Sequence, residues 1–317
     1  MGLAYLPSDE ILWMGCLDLP TSGVRMWKSL DHGLNWTQMT TAEGLPDAST
    51  ATLVRSSLAP RTYGTLFTYI RKTATGNGYY RSLDNGVTWT QMLAGSAFNG
   101  QYTSIAIDKT DGTIYVVLST FIYRSLDNGV TWTAVLSSLT GQHRLALNSL
   151  GHIFVVGSSD GLLRKSFDKG ASWTTQAWGN ALVVAADSQD RIFVANSNTG
   201  YYTLDRGETK TAFTTGSAGT RWSAFCDSNN QVFIGGDDTG GRLFRSTNHG
   251  TSFSTVYNAG AGVGNTVQDV CEDKFGRLYF ASNVLGLFRS LDGGATWSLL
   301  YSETNQLYTI HAQKRVY

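Results

Sequence analysis

Short apolar runs alternate with polar turns along the whole chain, and no window carries a sustained 3.6-residue hydrophobic period. SIAIDKTDGTIYVVLS (residues 104 to 119), RLALNSLGHIFVVGS (144 to 158), LVVAADSQDRIFVANS (182 to 197) and DVCEDKFGRLYFAS (269 to 282) each read as a strand, a tight turn and a second strand. Downstream of each lies a Tyr-Arg-Ser-like segment and then a Thr-Trp-Thr-like one, which supply a third and a fourth strand. The pattern predicts a four-stranded antiparallel unit used many times over.

The period is set by a short element between the third and fourth strands. It occurs within KSLDHGLNWT, RSLDNGVTWT (twice), KSFDKGASWT, YTLDRGETKT, RSTNHGTSFS and RSLDGGATWS, the box itself being the inner eight residues, 29–36, 82–89, 125–132, 166–173, 203–210, 246–253 and 290–297. Its acidic or amide position falls at Asp31, Asp84, Asp127, Asp168, Asp205, Asn248 and Asp292, at intervals of 53, 43, 41, 37, 43 and 44. A period in the low forties is that of one propeller blade. The expectation is an all-β fold, a single seven-bladed β-propeller over residues 1–317. Pairing of the two chain ends would close the ring, with eight blades and a composite closing blade as the alternative.

Ser-x-Asp-x-Gly suits a tight turn: the Ser and Asp side chains bond turn backbone, the Gly takes a positive φ, and the Trp covers the turn. The substitution of Asn248 for Asp in the sixth copy, and of Lys210 and Phe253 for Trp in the fifth and sixth, agrees with a structural role. A nucleophile would not tolerate an amide so readily.

The pattern SxDxGxTW resembles the Asp-box of the bacterial neuraminidase repeat (BNR) propellers, which include sialidase-like and sortilin-like members. That resemblance implies that the boxes are structural turns on the face away from any active site. Sialidases also carry an Arg-Ile-Pro motif and an arginine triad. The four prolines, Pro7, Pro20, Pro46 and Pro60, complete no Arg-x-Pro, which disfavours that activity. Xyloglucan-cleaving relatives resemble two such propellers side by side, and this chain has length for one. Sortilin and the photosystem II assembly factor, which resemble the array in its boxes, bind proteins without cutting them.

Composition narrows the chemistry. Lys plus Arg and Asp plus Glu are 24 each, for a net charge of zero, so no basic stripe for nucleic acid is expected. The three cysteines, Cys16, Cys226 and Cys271, have no metal or disulfide spacing and read as small core residues. No cofactor and no metal are expected. The first residues have no basic start, long apolar stretch or small-residue cleavage site, so no signal peptide or membrane insertion is expected. An extracellular or virion-associated setting is favoured.

Residues that recur in register serve the fold: Asp108, Asn148, Asp187, Asp227 and Asp273 in the turn after strand one, and the basic residue before six of the seven boxes, Lys28, Arg81, Arg124, Lys165, Arg245 and Arg289. With the boxes at the bottom, the residues entering strand one lie at the top and vary between blades. Tyr102, His143, Arg144, Trp178, Arg221, Trp222, Asp269 and Tyr308 are therefore the candidate ligand-binding residues, with Gln268 beside Asp269. His143 lacks a metal or catalytic partner in sequence, and the pair Asp237 and Asp238 supplies too few oxygens for calcium.

The expected function is non-catalytic recognition of a glycan or protein through the top face, possible within a larger assembly. The alternatives are a glycoside hydrolase or lyase using carboxylates such as Asp269 and Glu43, and a structural subunit of a larger particle.

Overall fold

The computed structural model describes residues 10–18, 23–39, 51–54, 65–72, 78–94, 104–118, 120–260, 265–302 and 306–314. They form 28 strands, β1 to β28 in chain order, grouped in seven four-stranded antiparallel sheets. Strands β4 to β27 fill six blades consecutively. The remaining blade joins β28 (Gln306–Lys314) to β1 (Glu10–Asp18), β2 (Gly23–Ser29) and β3 (Thr37–Met39), in that order from the inside.

The ring is thus closed by pairing the two ends of the chain, and the described residues contain no eighth blade. Residues 10–18 form the second strand of this blade, and β28 takes the innermost place.

Within each blade the second strand is sandwiched between neighbouring sheets and is mostly apolar. Ile114–Leu118, Ile153–Gly157 and Leu278–Ser282 are wholly buried, because both faces of a middle strand meet another blade. The outermost strands, such as Thr174–Ala177, face water along most of their length. Each of seven hydrophobic clusters lies between two blades: Ile11, Trp13, Met26 and Met39 of the first meet Leu66, Ile70, Tyr80 and Trp89 of the second. The last cluster, Leu12, Met14 and Ile310 against Tyr279 and Leu287, seals the closing junction.

The boxes hold the blades in register. In the third, Ser125 Oγ donates to Asp127 Oδ1 (2.8 Å) and accepts the Gly129 N–H (2.7 Å). Asp127 accepts the Thr131 N–H and hydroxyl at 2.8 and 2.5 Å, and the Trp132 indole donates to the Gly129 carbonyl at 3.1 Å. Asn128 and Gly129 have φ of 60° and 83°.

A Cβ on Gly129 would lie 2.4 Å from Met92 Sδ of the preceding blade, and one on Gly86 would lie 2.3 Å from the Trp13 ring. Every box glycine is pressed in this way against the blade before it. The departures are compensated: Lys210 lies 4.4 Å over the Tyr201 ring and donates to the Ala177 and Trp178 carbonyls, and Phe253 stacks 4.8 Å from Phe213.

Two further rings of polar contacts join the blades on the same face. Arg81 and Arg124 donate to the Asn128 and Lys169 carbonyls of the next box (2.5 and 2.8 Å), and Lys165 pairs with Glu208 (2.6 Å). The turns after strand one are held by Asp108, Asn148, Asp187, Asp227 and Asp273, each accepting turn N–H groups. Ser149, Ser188 and Ser228 then bond Asp190, Asn230 and Glu272 of the next blade.

Gly86→Ala combines left-handed backbone with a collision against Trp13, and is expected to cost about 2–4 kcal/mol. Gly179, at φ +90° with open space around it, is expected to lose only about 1 kcal/mol on the same change; denaturant melts of the two variants test the difference. The Thr131 donors hold the Asp127 carboxyl at about 2, and those of Ser172 hold Asp168 at about 2. These carboxyls protonate more readily in the unfolded chain, near pH 3.9. Their contribution is therefore complete above about pH 4 and is lost as pH falls toward 2. Asp127→Asn should flatten that part of the acid melt and, as Asn248 does naturally, keep the turn; Asp127→Ala should not.

Candidate functional site

The innermost strands surround a channel: β4 (Ala51–Val54), β8 (Ser104–Ile107), β12 (His143–Leu147), β16 (Val183–Ala186), β20 (Arg221–Cys226), β24 (Val267–Glu272) and β28. At the end opposite the boxes it opens into a cavity of about 200 Å³, to which six of these seven strands contribute lining residues.

Strand pairing fixes two tiers in the funnel wall. Ser104, Arg144, Val183, Ser223, Asp269 and Thr309 pair with Val117, Val156, Ala195, Gly235, Ala281 and Gly15, the same position of each second strand. They form one level around the channel. Immediately above it, β20, β24 and β28 each carry an extra residue that breaks the register: Trp222, Gln268 and Tyr308. A bulge adds a residue outside the alternation and re-aims its side chain, and all three of these line the cavity.

The lower level ties innermost strands together. Ser104 Oγ accepts the Leu145 N–H at 3.3 Å, and Ser223 Oγ donates to the Val267 carbonyl at 3.3 Å. Asp269 does the same with a carboxyl. Its Oδ2 accepts the Thr309 hydroxyl (2.8 Å) and the Ile310 N–H (3.2 Å), and its Oδ1 the Val270 N–H (2.9 Å).

Enclosure by protein pushes this carboxyl up to about 6 against the pull of those donors and of Arg144. Arg144 and Asp269 are the cation and the carboxylate among the residues lining the cavity. Trp222 is oriented from behind: its indole N–H donates to Asp237 Oδ2 (3.1 Å), while Asp237 Oδ1 accepts the Thr220 N–H (2.6 Å).

Of the eight candidates, Arg144, Trp222, Asp269 and Tyr308 converge on the funnel. Tyr102 lies outside the described residues, as do Gln101, Glu43, residues 40 to 50 and residues 73 to 77, where the extra length of the second repeat falls. His143, Trp178 and Arg221, expected on the rim, are buried. His143 Nε2 lies 3.0 Å from Asp160, which also pairs with Arg164 (2.7 Å). Trp178 fills the top of the junction between two blades against Tyr201.

Arg221 pairs with Asp238 and donates to Thr215 and the Ser197 and Ser217 carbonyls, so it ties the top loops together. Strand alternation explains two of them: His143 and Arg221 occupy the position next to the channel-facing one and turn into the blade. Asp237 bonds Trp222 and Asp238 pairs with Arg221. Ser104, Ser223 and Thr309 were not anticipated; their register with Arg144 and Asp269 was the available signal.

The family described as the DUF6242 beta propeller domain matches residues 32–187. No curated protein matches the chain. Among solved structures, YCF48 bound to D1 peptide is similar at a TM-score of 0.58 and 13% identity, over 78% of this chain and 80% of that one. YCF48 from Cyanidioschyzon merolae gives 0.59 and 17%, over 94% and 92%. The GH74 xyloglucanase from Xanthomonas campestris gives 0.59 and 18% over 78% of this chain, which spans 45% of the enzyme. At these identities the similarity is one of fold, a β-propeller.

Ionising Asp269 above about pH 6 costs the folded state, whereas below about pH 4 both states hold the proton. Asp269→Asn is therefore expected to raise stability at pH 8 by on the order of 2–3 kcal/mol, with the two melting curves converging near pH 4.

Proposed function

We propose that this propeller is a recognition module that takes an end group or loop tip of a protein ligand into its top funnel and does not cleave it. The observation that carries the reading is the run of bulges in β20, β24, β28 and β4, three of which place Trp222, Gln268 and Tyr308 on one cavity opposite Arg144. A bulge costs ladder hydrogen bonds, and three at one level of one channel form a built receptacle. The cavity, about 200 Å³, suits one or two side chains. A protein partner would then spread over the surrounding top loops.

Recognition is favoured over glycoside cleavage because the described lining offers Asp269 as its carboxylate, and that chemistry uses two, about 5–10 Å apart. A protein ligand is favoured over a glycan because Ser104, Ser223, Thr309 and Asp269 already bond the innermost strands. A hydroxyl-covered sugar ring needs several directional partners, and buried hydroxyls left without them are costly. The peptide held by YCF48 supports the same choice. The seven turns, with their shared Ser, Asp and Gly bonding, support placing the chain among Asp-box propellers.

Peptide and glycan arrays probed with the protein, and with its Trp222→Ala and Arg144→Ala variants, test the reading. Peptide binding is expected to weaken by about 10- to 100-fold when the Trp222 anchor is removed, with folding checked by circular dichroism. Unchanged binding in both variants would remove the funnel from the account. Product release from a polysaccharide panel that disappears in Asp269→Asn would make the protein an enzyme.

A further inference from the structure

The proposed binding site contains an internal contradiction that identifies its ligand chemistry. Arg144 and Asp269 occupy the same level of the channel on blades facing each other across it, in a lining that is otherwise uncharged. Asp269 is held by Thr309 and Ile310 of the closing strand, so it cannot swing away to meet a ligand without breaking the clamp between β24 and β28. Arg144, by contrast, is on a long side chain that reaches into the cavity from the other side.

We propose that the funnel receives an acidic group of a protein segment at Arg144, and that Asp269 is its built-in competitor, so that the ligand carboxylate enters together with one proton. This rests on the reading of the funnel as a protein-binding site and adds the class of group bound and its control.

The physics is that of two carboxylates sharing one enclosed space with one guanidinium. Both cannot remain ionised beside each other in so enclosed a place at modest cost. The Asp269 carboxyl already titrates at about 6, within reach of neutral conditions. Around it in the cavity lie Arg144 from β12, Tyr308 and Thr309 from β28, and the uncharged Trp222 and Ser223 from β20. Farther along β28, desolvation holds the half-buried His311 down to about 4, so it stays neutral over this range and does not supply the proton effect. Neutral Asp269 still accepts from Ile310 and Thr309, while the funnel as a whole gains one positive charge.

The test is titration calorimetry of the intact protein with three ligands: a blocked tripeptide with a central glutamate, its glutamine analogue, and glucuronate. Each is measured from about pH 5 to about pH 8 in two buffers of different ionisation heat. The acidic tripeptide is expected to bind with an affinity that falls about tenfold per pH unit above pH 6, taking up about one proton at neutral pH. The glutamine analogue should bind weakly at all pH values. In Asp269→Asn the pH dependence and the proton uptake should vanish; proton uptake by the unmodified protein decides the matter even if that variant does not fold.

Equal binding of the acidic and amide tripeptides, or acidic binding without proton uptake, overturns the proposal and leaves the funnel as a protein site. Glucuronate binding with the expected pH profile, without tripeptide binding, overturns the protein source in favour of an acidic glycan. No binding of any of the three at any pH, with array-selected peptides still bound, also overturns it. Loss of array binding as well removes the reading on which it rests.

Discussion

The fold depends on the pressing of a left-handed box glycine against a side chain of the preceding blade. Each blade is a twisted sheet with two apolar faces and no means of its own to set the distance or angle to the next. The box supplies both, because a Ser hydroxyl and an Asp carboxyl wind the turn until the glycine can approach Trp13, Met92, Val135 or Phe233 more closely than a Cβ would allow. The arginines and turn carboxylates then repeat the same connection in polar form. Seven equal spacings generate the ring, and the ring generates the channel.

The bottom face is therefore under tight constraint at every blade, whereas the top is not. At the top, Gln142 with Ser158, Thr220 with Asp237 and Thr266 with Asn283 repeat one reciprocal pair of bonds in three blades, while the channel-lining residues differ from blade to blade. Arg221 gathers its loops through Asp238, Thr215 and Ser217, and His143 through Asp160. These are local solutions, each used once. Such variation permits one side of the funnel to carry the bulged residues Trp222, Gln268 and Tyr308 and the other a guanidinium.

Blade number, strand order and the role of the boxes could be read from the sequence because each is written seven times. Repetition separates what the fold requires from what one position happens to contain. Ring closure was legible as a choice between two arrangements, since an unpaired apolar end is visible but its partner is not. The site was only half legible. Entry to strand one could be located, yet choosing between Arg221 and Trp222, or between His143 and Arg144, requires knowing which residue faces the channel. A bulge changes that parity by one, and it leaves no mark in a hydrophobicity pattern. Trp178 misled for another reason: with Lys210 in place of the box tryptophan, the neighbouring junction needed a large ring from elsewhere.

The closing strand has a consequence for the order of events during synthesis. Tyr308 and Thr309 line the funnel, and Thr309 with Ile310 holds Asp269, so one wall of the funnel is delivered by a strand that follows all six other blades in the chain. Six blades can stack while the seventh lacks its inner strand, and the half-built chain carries an open cleft in place of a pocket. The funnel wall is thus completed in the same step as the ring.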